Sequence, residues 1–247
     1  MGRVAALWRH PIKAHGREPV DRATLNEGQT FPGDRRWAVA HAQARTTGGK
    51  WAPCANFSRA AKAPALMAIT AQTDEATGRL TLRHPDLWDL TLDPAIQGDK
   101  LIQWVRPLMP ADRAASARLV PAGDHGMTDT AFASVSIHTT ASHRAIEGRL
   151  GRPLSTERWR GNIWLDGFAP WEEFDWLGKT LRIGTAELTV QERITRCLAT
   201  TANPDTGKRD ADTLGVLNDA LGHQDFGVYA VVSKSGGIAT GDSVKVL

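Results

Sequence analysis

Turn residues cut this chain into strand-length pieces. "RVAALWRHPI", "EPVDRATLNEGQTF", "RRWAVAHA", "ALMAITAQTDEATGRLTLRHP" and "LWDLTLDP" each carry short alternating runs that stop at Pro, Gly, Asn or an Asp-rich turn. Spacing of this kind reads as a β-meander, and up to about residue 105 the chain is expected to be all-β. Residues 107 to 130 shift to Pro, Ala, Arg and Asp without clear periodicity, which marks a connection between two halves. The predicted organisation is a first domain over 1–106, a connection over 107–124 and a second domain over 125–247.

The second half adds helices. "SHRAIEGRLG" sets Ile146 and Leu150 four apart before a glycine, with Ser142 near the start, and "ADTLGVLNDALG" places Leu214, Leu217 and Leu221 on one helical face. Around them "GNIWLDG", "TLRIGTAELTV", "FGVYAVV" and "DSVKVL" read as strands, so the expected fold class is mostly β (α+β) with a few short helices.

Composition limits the partners. No window approaches the roughly 18 apolar residues that cross a bilayer, and no amino-terminal apolar leader is evident, so no transmembrane segment is expected. The two cysteines, Cys54 and Cys197, lie far apart in the chain, which favours a reducing, cytoplasmic setting over a disulfide framework. Net charge is only +3, the arginines are scattered, and one Tyr with six Phe makes no stacking platform; nucleic acid is disfavoured and an anionic small ligand fits better.

Cys197 stands between an arginine and a loop of Thr, Asn and Asp in "QERITRCLATTANPDTGKRD". A small buried hydrophobe is one reading of it. Arg193 and Arg196 before it, and Thr200 and Thr201 after it, favour the thiolate and so open two others, a nucleophile or a soft-metal ligand. No CxxC, HExxH or metal-spaced His pair accompanies it, which disfavours a protein-only zinc or iron site. One thiolate with several arginines suits a metal carried by an anionic organic cofactor.

"RWRGNIWLDG", "FDWLGKTLRIGTAELTV", "RITRCLATTANPDTGKRD" and "FGVYAVVSKSGGIATGDSVKV" together resemble the molybdenum cofactor sulfurase C-terminal superfamily, the MOSC domain. "LWRHPIKAHGREPVDRATLNEGQTFPGDRRWAV" is similar to the β-barrel domain that precedes MOSC in mitochondrial amidoxime-reducing components and their bacterial relatives. The resemblance implies an N-terminal β-barrel-like domain packed with a C-terminal MOSC β-barrel. It also implies that Cys197 gives its thiolate to molybdenum of a pterin cofactor.

Other roles carry over by position. The resemblance implies cofactor contacts from Lys13 in "HPIKAHG", Arg35 in "GDRRW", Arg59, Arg160 and Asn162 in "RWRGN", Arg196, and Ser134 and Ser136; it places Thr139 in the same cleft and lets Asp205 and Thr206 shape the loop beside the metal. Gly161 stands where the family has proline, which is expected to loosen that turn. The segment "TTGGKWAPCANFSRAAKAP" departs from the family; it is expected to face the metal side, with Cys54 a packing thiol or an influence on substrate choice. "WEEFDW" reads as core packing, and His138 and His143 as surface or capping histidines beside a helix start.

The implied activity is a molybdenum-dependent oxidoreductase that reduces N-hydroxylated substrates of the amidoxime or hydroxylamine type by oxygen transfer to the metal. The chain has no cysteine set for an iron-sulfur cluster, no GxGxxG turn and no haem motif, and no flavin site is expected. Electrons would come from a separate ferredoxin- or cytochrome-like donor with its reductase. Two other classes fit the same residues: a sulfur carrier forming a persulfide on Cys197 without metal, and a module that binds or delivers the cofactor.

Overall fold

The computed structural model describes residues 2–247. The first half runs β1 (Gly2–Arg9), β2 (Ile12–Lys13), β3 (Glu18–Val20), β4 (Arg22–Leu25), β5 (Trp37–His41), β6 (Thr70–Thr73), β7 (Leu80–His84) and β8 (Leu87–Leu92), then helix α1 (Gly98–Val105) and β9 (Ser116–Pro121). The second half runs β10 (Val135–Thr139), α2 (Thr140–Leu150), β11 (Ile163–Asp166), β12 (Thr180–Ile183), β13 (Ala186–Thr195), α3 (Thr213–Leu221), β14 (Asp225–Lys234), β15 (Gly236–Ala239) and β16 (Ser243–Val246).

Seven strands close a barrel in the order β11-β10-β14-β13-β12-β16-β1, with β1 pairing back onto β11. Six of these staves come from the second half and one, β1, from the beginning of the chain. A register shift between Val4 and Ala6 bends β1, so that Gly2 and Arg3 pair with β16, residues 3 to 7 with β11, and Leu7 to Arg9 with β3. The parallel pair β10–β11 is joined through α2, as a parallel connection requires. Alternation along the staves fills the interior: Val135 and Ile137, Ile163 and Leu165, Leu188 and Val190, Val228 and Ala230 all belong to one buried core.

The first half has its own core, in which Ile12, Val39, Leu66, Met67, Leu82 and Leu101 pack beneath the β6–β7–β8 meander and α1. It is not all-β. Leu101, Trp104 and Val105 bury one face of α1, an i, i+3, i+4 pattern that "GDKLIQWV" carries in sequence. β9 lies within the stretch read as a connection and pairs with β5, which is parallel to β2. β15 pairs with β4, so with β1–β11 and β1–β16 three backbone ladders cross between the halves.

The two expected helices form, with caps the sequence only partly located. Thr139 rather than Ser142 caps α2: its Oγ1 accepts from the Ser142 amide, and Gly151 closes the helix at φ 66°. Asp212 and Gly222 do the same for α3. Within "WEEFDW", Phe174 and Trp176 are buried as expected, and Glu173 is buried with them.

Glu173 Oε2 accepts from Thr139 Oγ1 and Ser142 Oγ, while Oε1 has no partner. Burial pushes its carboxyl up, against the hydrogen bonds that favour the anion. A raised folded-state value means that the contribution to stability is full below the unfolded carboxylate's value and is lost as pH rises through the folded one. Glu173→Gln is therefore expected to be more stable than wild type at pH 8 by about 1–3 kcal/mol, with the gap closing toward pH 4 in thermal unfolding.

Candidate functional site

A cavity of about 300 Å³ opens between the halves. β2 and the residue after it supply Lys13 and Ala14; the turn before β5 supplies Arg35; the 46–64 loop supplies Cys54 and Arg59. From the second half come Asp129, Ser136, Arg158, Arg160, Arg196, Cys197 and Tyr229. Six cationic side chains thus face one carboxylate.

The backbone at this wall is unusual. Ala14, Arg35 and Arg160 have φ of 63°, 49° and 50°, and they are three of the four non-glycine residues with positive φ among those described. Left-handed backbone at non-glycine residues costs energy and gathers where a site needs side chains aimed against local preference.

The cations differ in what they have left to offer. Lys13 Nζ donates to the Met127 and Thr128 carbonyls at 3.0 and 3.2 Å and to Asp129 Oδ1, so its three N–H groups are committed to holding segment 127–129. Burial favours the acid form of Asp129, but Lys13, Arg35 and Arg196 outweigh it and hold the carboxyl to about 2. Arg35 pairs with fully buried Asp34 and donates to the Arg160 carbonyl at 3.1 Å. Arg196 donates from Nε to the Phe226 carbonyl at 2.8 Å, from Nη1 to the Trp159 carbonyl at 3.0 Å, and from Nη2 to Phe226 O and His138 Nε2.

Two cations keep a buried N–H without a partner, Arg158 at Nε and Arg160 at Nη1. Arg160 has the fewer bonds to the protein. Nη2 donates to the Gly16 carbonyl at 3.2 Å, and Nη1 is buried with no partner at all. Burial brings its pKa down to about 9, with repulsion from Arg35 and Arg17 adding to the shift. A buried guanidinium with a free N–H beside other cations lacks an anion.

Cys197 follows β13, is exposed, and starts the short 3-10 turn Leu198–Thr201, where its carbonyl accepts from Thr200 N and Oγ1 at 3.1 Å each. Cys54 is half-buried on the same cavity, and Arg59 Nη1 donates to its Sγ at 3.3 Å. Cys54 and Arg59 of the 46–64 loop line the cavity together with Cys197, and the loop is anchored by Trp51 Nε1 on the Thr128 carbonyl and by the Ala52 amide on Met127 Sδ.

Five of the residues singled out from sequence lie off the cavity wall. Asn162 is buried behind it: its Oδ1 accepts from the Ser136 amide and Oγ, and its Nδ2 donates to the Trp8 carbonyl, so the amide orients Ser136. Ser134 is buried and accepts from Thr130 Oγ1. Asp205 and Thr206 are exposed in a turn where Asn203 Oδ1 accepts from the Asp205 amide. Thr139 is spent on capping α2.

The cavity also contains residues the sequence reading passed over. Tyr229, the chain's one tyrosine, faces it from β14; burial and then Asp129 push its hydroxyl pKa up, so it keeps its proton. His138 and His143 are not surface residues: both are buried, with His143 Nδ1 accepting from Trp159 Nε1. Gly161 lies directly against the His138 ring. A Cβ there would lie 2.2 Å from His138 Nδ1, so its bareness makes room for that ring.

Residues 124–245 match the family model described as the MOSC domain, and residues 1–112 match the one described as the MOSC N-terminal beta barrel domain. The chain belongs to the MOSC family. Among curated MOSC relatives, mitochondrial amidoxime-reducing component 1 of Mus musculus is 26% identical over all of this chain and 83% of its own length. Mitochondrial amidoxime reducing component 2 of Homo sapiens is 24% identical over 99% and 83%. Of solved structures, the YUAD protein from Bacillus subtilis aligns over all of this MOSC chain and 96% of its own at 13% identity, with a TM-score of 0.48. The MOSC barrel and the MOSC N-terminal domain are therefore the two units between which the cavity opens.

Proposed function

We propose that this protein holds a molybdenum cofactor in the cavity, with Cys197 as the ligand from the protein, and reduces N-hydroxylated small molecules such as amidoximes using electrons from a separate donor protein. The unpartnered, buried Nη1 of Arg160 carries the reading, because it needs an anionic group and the surrounding cations admit one. No group of three or more His, Cys, Asp or Glu among the described residues is placed to hold a metal alone. The donor set therefore suits a metal that arrives with most of its ligands on an anionic carrier. The names of the distant relatives support an N-reductive activity for this chain.

When bound, the cofactor supplies the two-electron cleavage of the N–O bond. The chain's residues bind and orient. Arg160 offers its free N–H to an anionic oxygen, and Arg35 adds charge while Asp34 fixes its direction. Cys197 presents an accessible sulfur. Tyr229 keeps its proton on the hydroxyl oxygen and Asp129 stays ionised, giving one neutral donor and one acceptor on the wall. The reading places the protein in the cytoplasm, where its two cysteines stay thiols; among the described residues no helix is long and apolar enough to cross a membrane.

Protein from a molybdenum-replete host is expected to carry about one molybdenum per chain, with an extractable pterin, and to reduce an amidoxime with a reduced dye. Metal-free protein from that host, inert toward such substrates, would overturn the proposal. Arg160→Ala is expected to lower cofactor retention on gel filtration by about tenfold, the loss of a bidentate charge-assisted contact, and by more than Lys13→Ala, whose donors are committed to the protein.

A further inference from the structure

His138 occupies a slot made by two glycines. Cβ atoms on Gly161 and Gly227 would lie 2.2 Å from its Nδ1 and 2.5 Å from its Cδ2, and the ring is fully buried. Trp164 and Phe226 stack beside it, with centroids 5.0 and 5.5 Å away and planes tilted by 27° and 29°. Two close backbone approaches and two aromatic neighbours leave the imidazole a single orientation.

That orientation aims Nε2 at the Arg196 guanidinium, which can only donate. Nε2 must therefore be bare, and a neutral ring then carries its proton on Nδ1, where no partner receives it. A core histidine chosen for packing alone would not leave a buried N–H unpaired in order to face a cation. Arg196 is the gain. With His138 and the carbonyls of Phe226 and Trp159 as acceptors, four of its five N–H groups are taken, and it directly precedes Cys197.

We infer that His138 is a positioning residue for the cavity: as the Nδ1–H tautomer it locks the Arg196 guanidinium, and through it the turn that presents the Cys197 thiol. The link to cofactor loading rests on the function proposed above; the link to Arg196 and Cys197 does not.

The test uses the full chain. Imidazole 15N signals, assigned to His138 by their loss in His138→Gln, are expected to show the Nδ1–H tautomer, and an Nε2–H pattern would overturn the inference. Alkylation by iodoacetamide is then followed separately at each cysteine by peptide mass. His138→Leu removes the acceptor and is expected to slow Cys197 by about threefold or more with Cys54 unchanged; His138→Gln, whose carbonyl oxygen reaches the place of Nε2, is expected to stay near wild type. Should His138→Leu fail to fold, Gly161→Ala, which pushes a methyl against Nδ1, is expected to give the same slowing. An unchanged Cys197 rate in the folded variant, or equal slowing in His138→Leu and His138→Gln, reduces His138 to packing and overturns the assignment. In protein from a molybdenum-replete host, the metal content should fall in His138→Leu and hold in His138→Gln. Wild type without molybdenum would defeat the cofactor reading, while the tautomer and alkylation results would still decide the role of His138.

Discussion

Cys197→Ala is expected to purify as a folded protein with almost no molybdenum and N-reductive activity at least about a hundredfold below wild type, because a ligand should matter no less than the outer partners that orient one. The fold should survive since the side chain is exposed and only its carbonyl joins the local turn, accepting from Thr200. Elemental analysis and dye-coupled turnover measure the two effects, and circular dichroism confirms the fold. Full molybdenum occupancy in the variant would remove Cys197 from the metal site. Persulfide chemistry at this thiol predicts another pattern, with metal-free wild type and a sulfane sulfur lost in the variant.

The largest effect on stability is expected at Asp34, which does not itself line the cavity but holds Arg35 on its wall. Its Oδ1 accepts from the His10 amide at 2.8 Å and faces His10 Nδ1 at 3.1 Å, while Oδ2 takes Arg35. Asp34→Ala strips the counter-charge from an almost buried arginine that already sits beside Arg160, so a loss of about 3–5 kcal/mol is expected. For a chain of this size that is a fall of about 10 °C in Tm. Burial works against the Asp34 anion, but Arg35 and His10 hold its carboxyl far below the ordinary range. A depressed folded-state value gives stability that is present above the unfolded carboxylate's value and lost as pH falls below it. The Tm gap between wild type and Asp34→Asn should accordingly be full at pH 7 and shrink below about pH 4. A gap that does not vary with pH would mean that Asp34 acts through packing rather than charge.

What sequence made legible was local. The Arg-Cys pair and the Thr/Asn/Asp loop lie within a few residues of each other, and the motifs around Lys13, Arg35 and Arg160 each contain their own turn chemistry; these residues converge on one cavity. Asp129 escaped because it lies in an irregular bend fixed by Lys13 from the first half, and Tyr229 because its position depends on which face of β14 meets that half. The chain's lone tyrosine within the Val-rich run of β14 was the available signal. His138 was read from its neighbours in sequence, beside a helix start, whereas its burial is fixed by Gly161 and Gly227, far along the chain. α1 was missed despite a readable spacing, because eight residues after a run of strands invite the wrong period. The placing of β1 in the second barrel had no local signature, since a stave looks the same whichever sheet accepts it.

The shared stave also orders events in time. β1 is made first and β16 about 240 residues later, yet Gly2 pairs with Val244 and Arg3 with Ser243. Until β16 has been synthesised, the neighbouring strands β1 and β12 keep open edges and the barrel cannot close, even though the first half can already gather its own core. Cations from both halves therefore meet around Cys197 only after a long-range closure. A nascent chain paused between Cys197 and β16 has an exposed thiol and unpaired strand edges, which makes closure of the barrel, rather than folding of the first half, the step most open to misassembly.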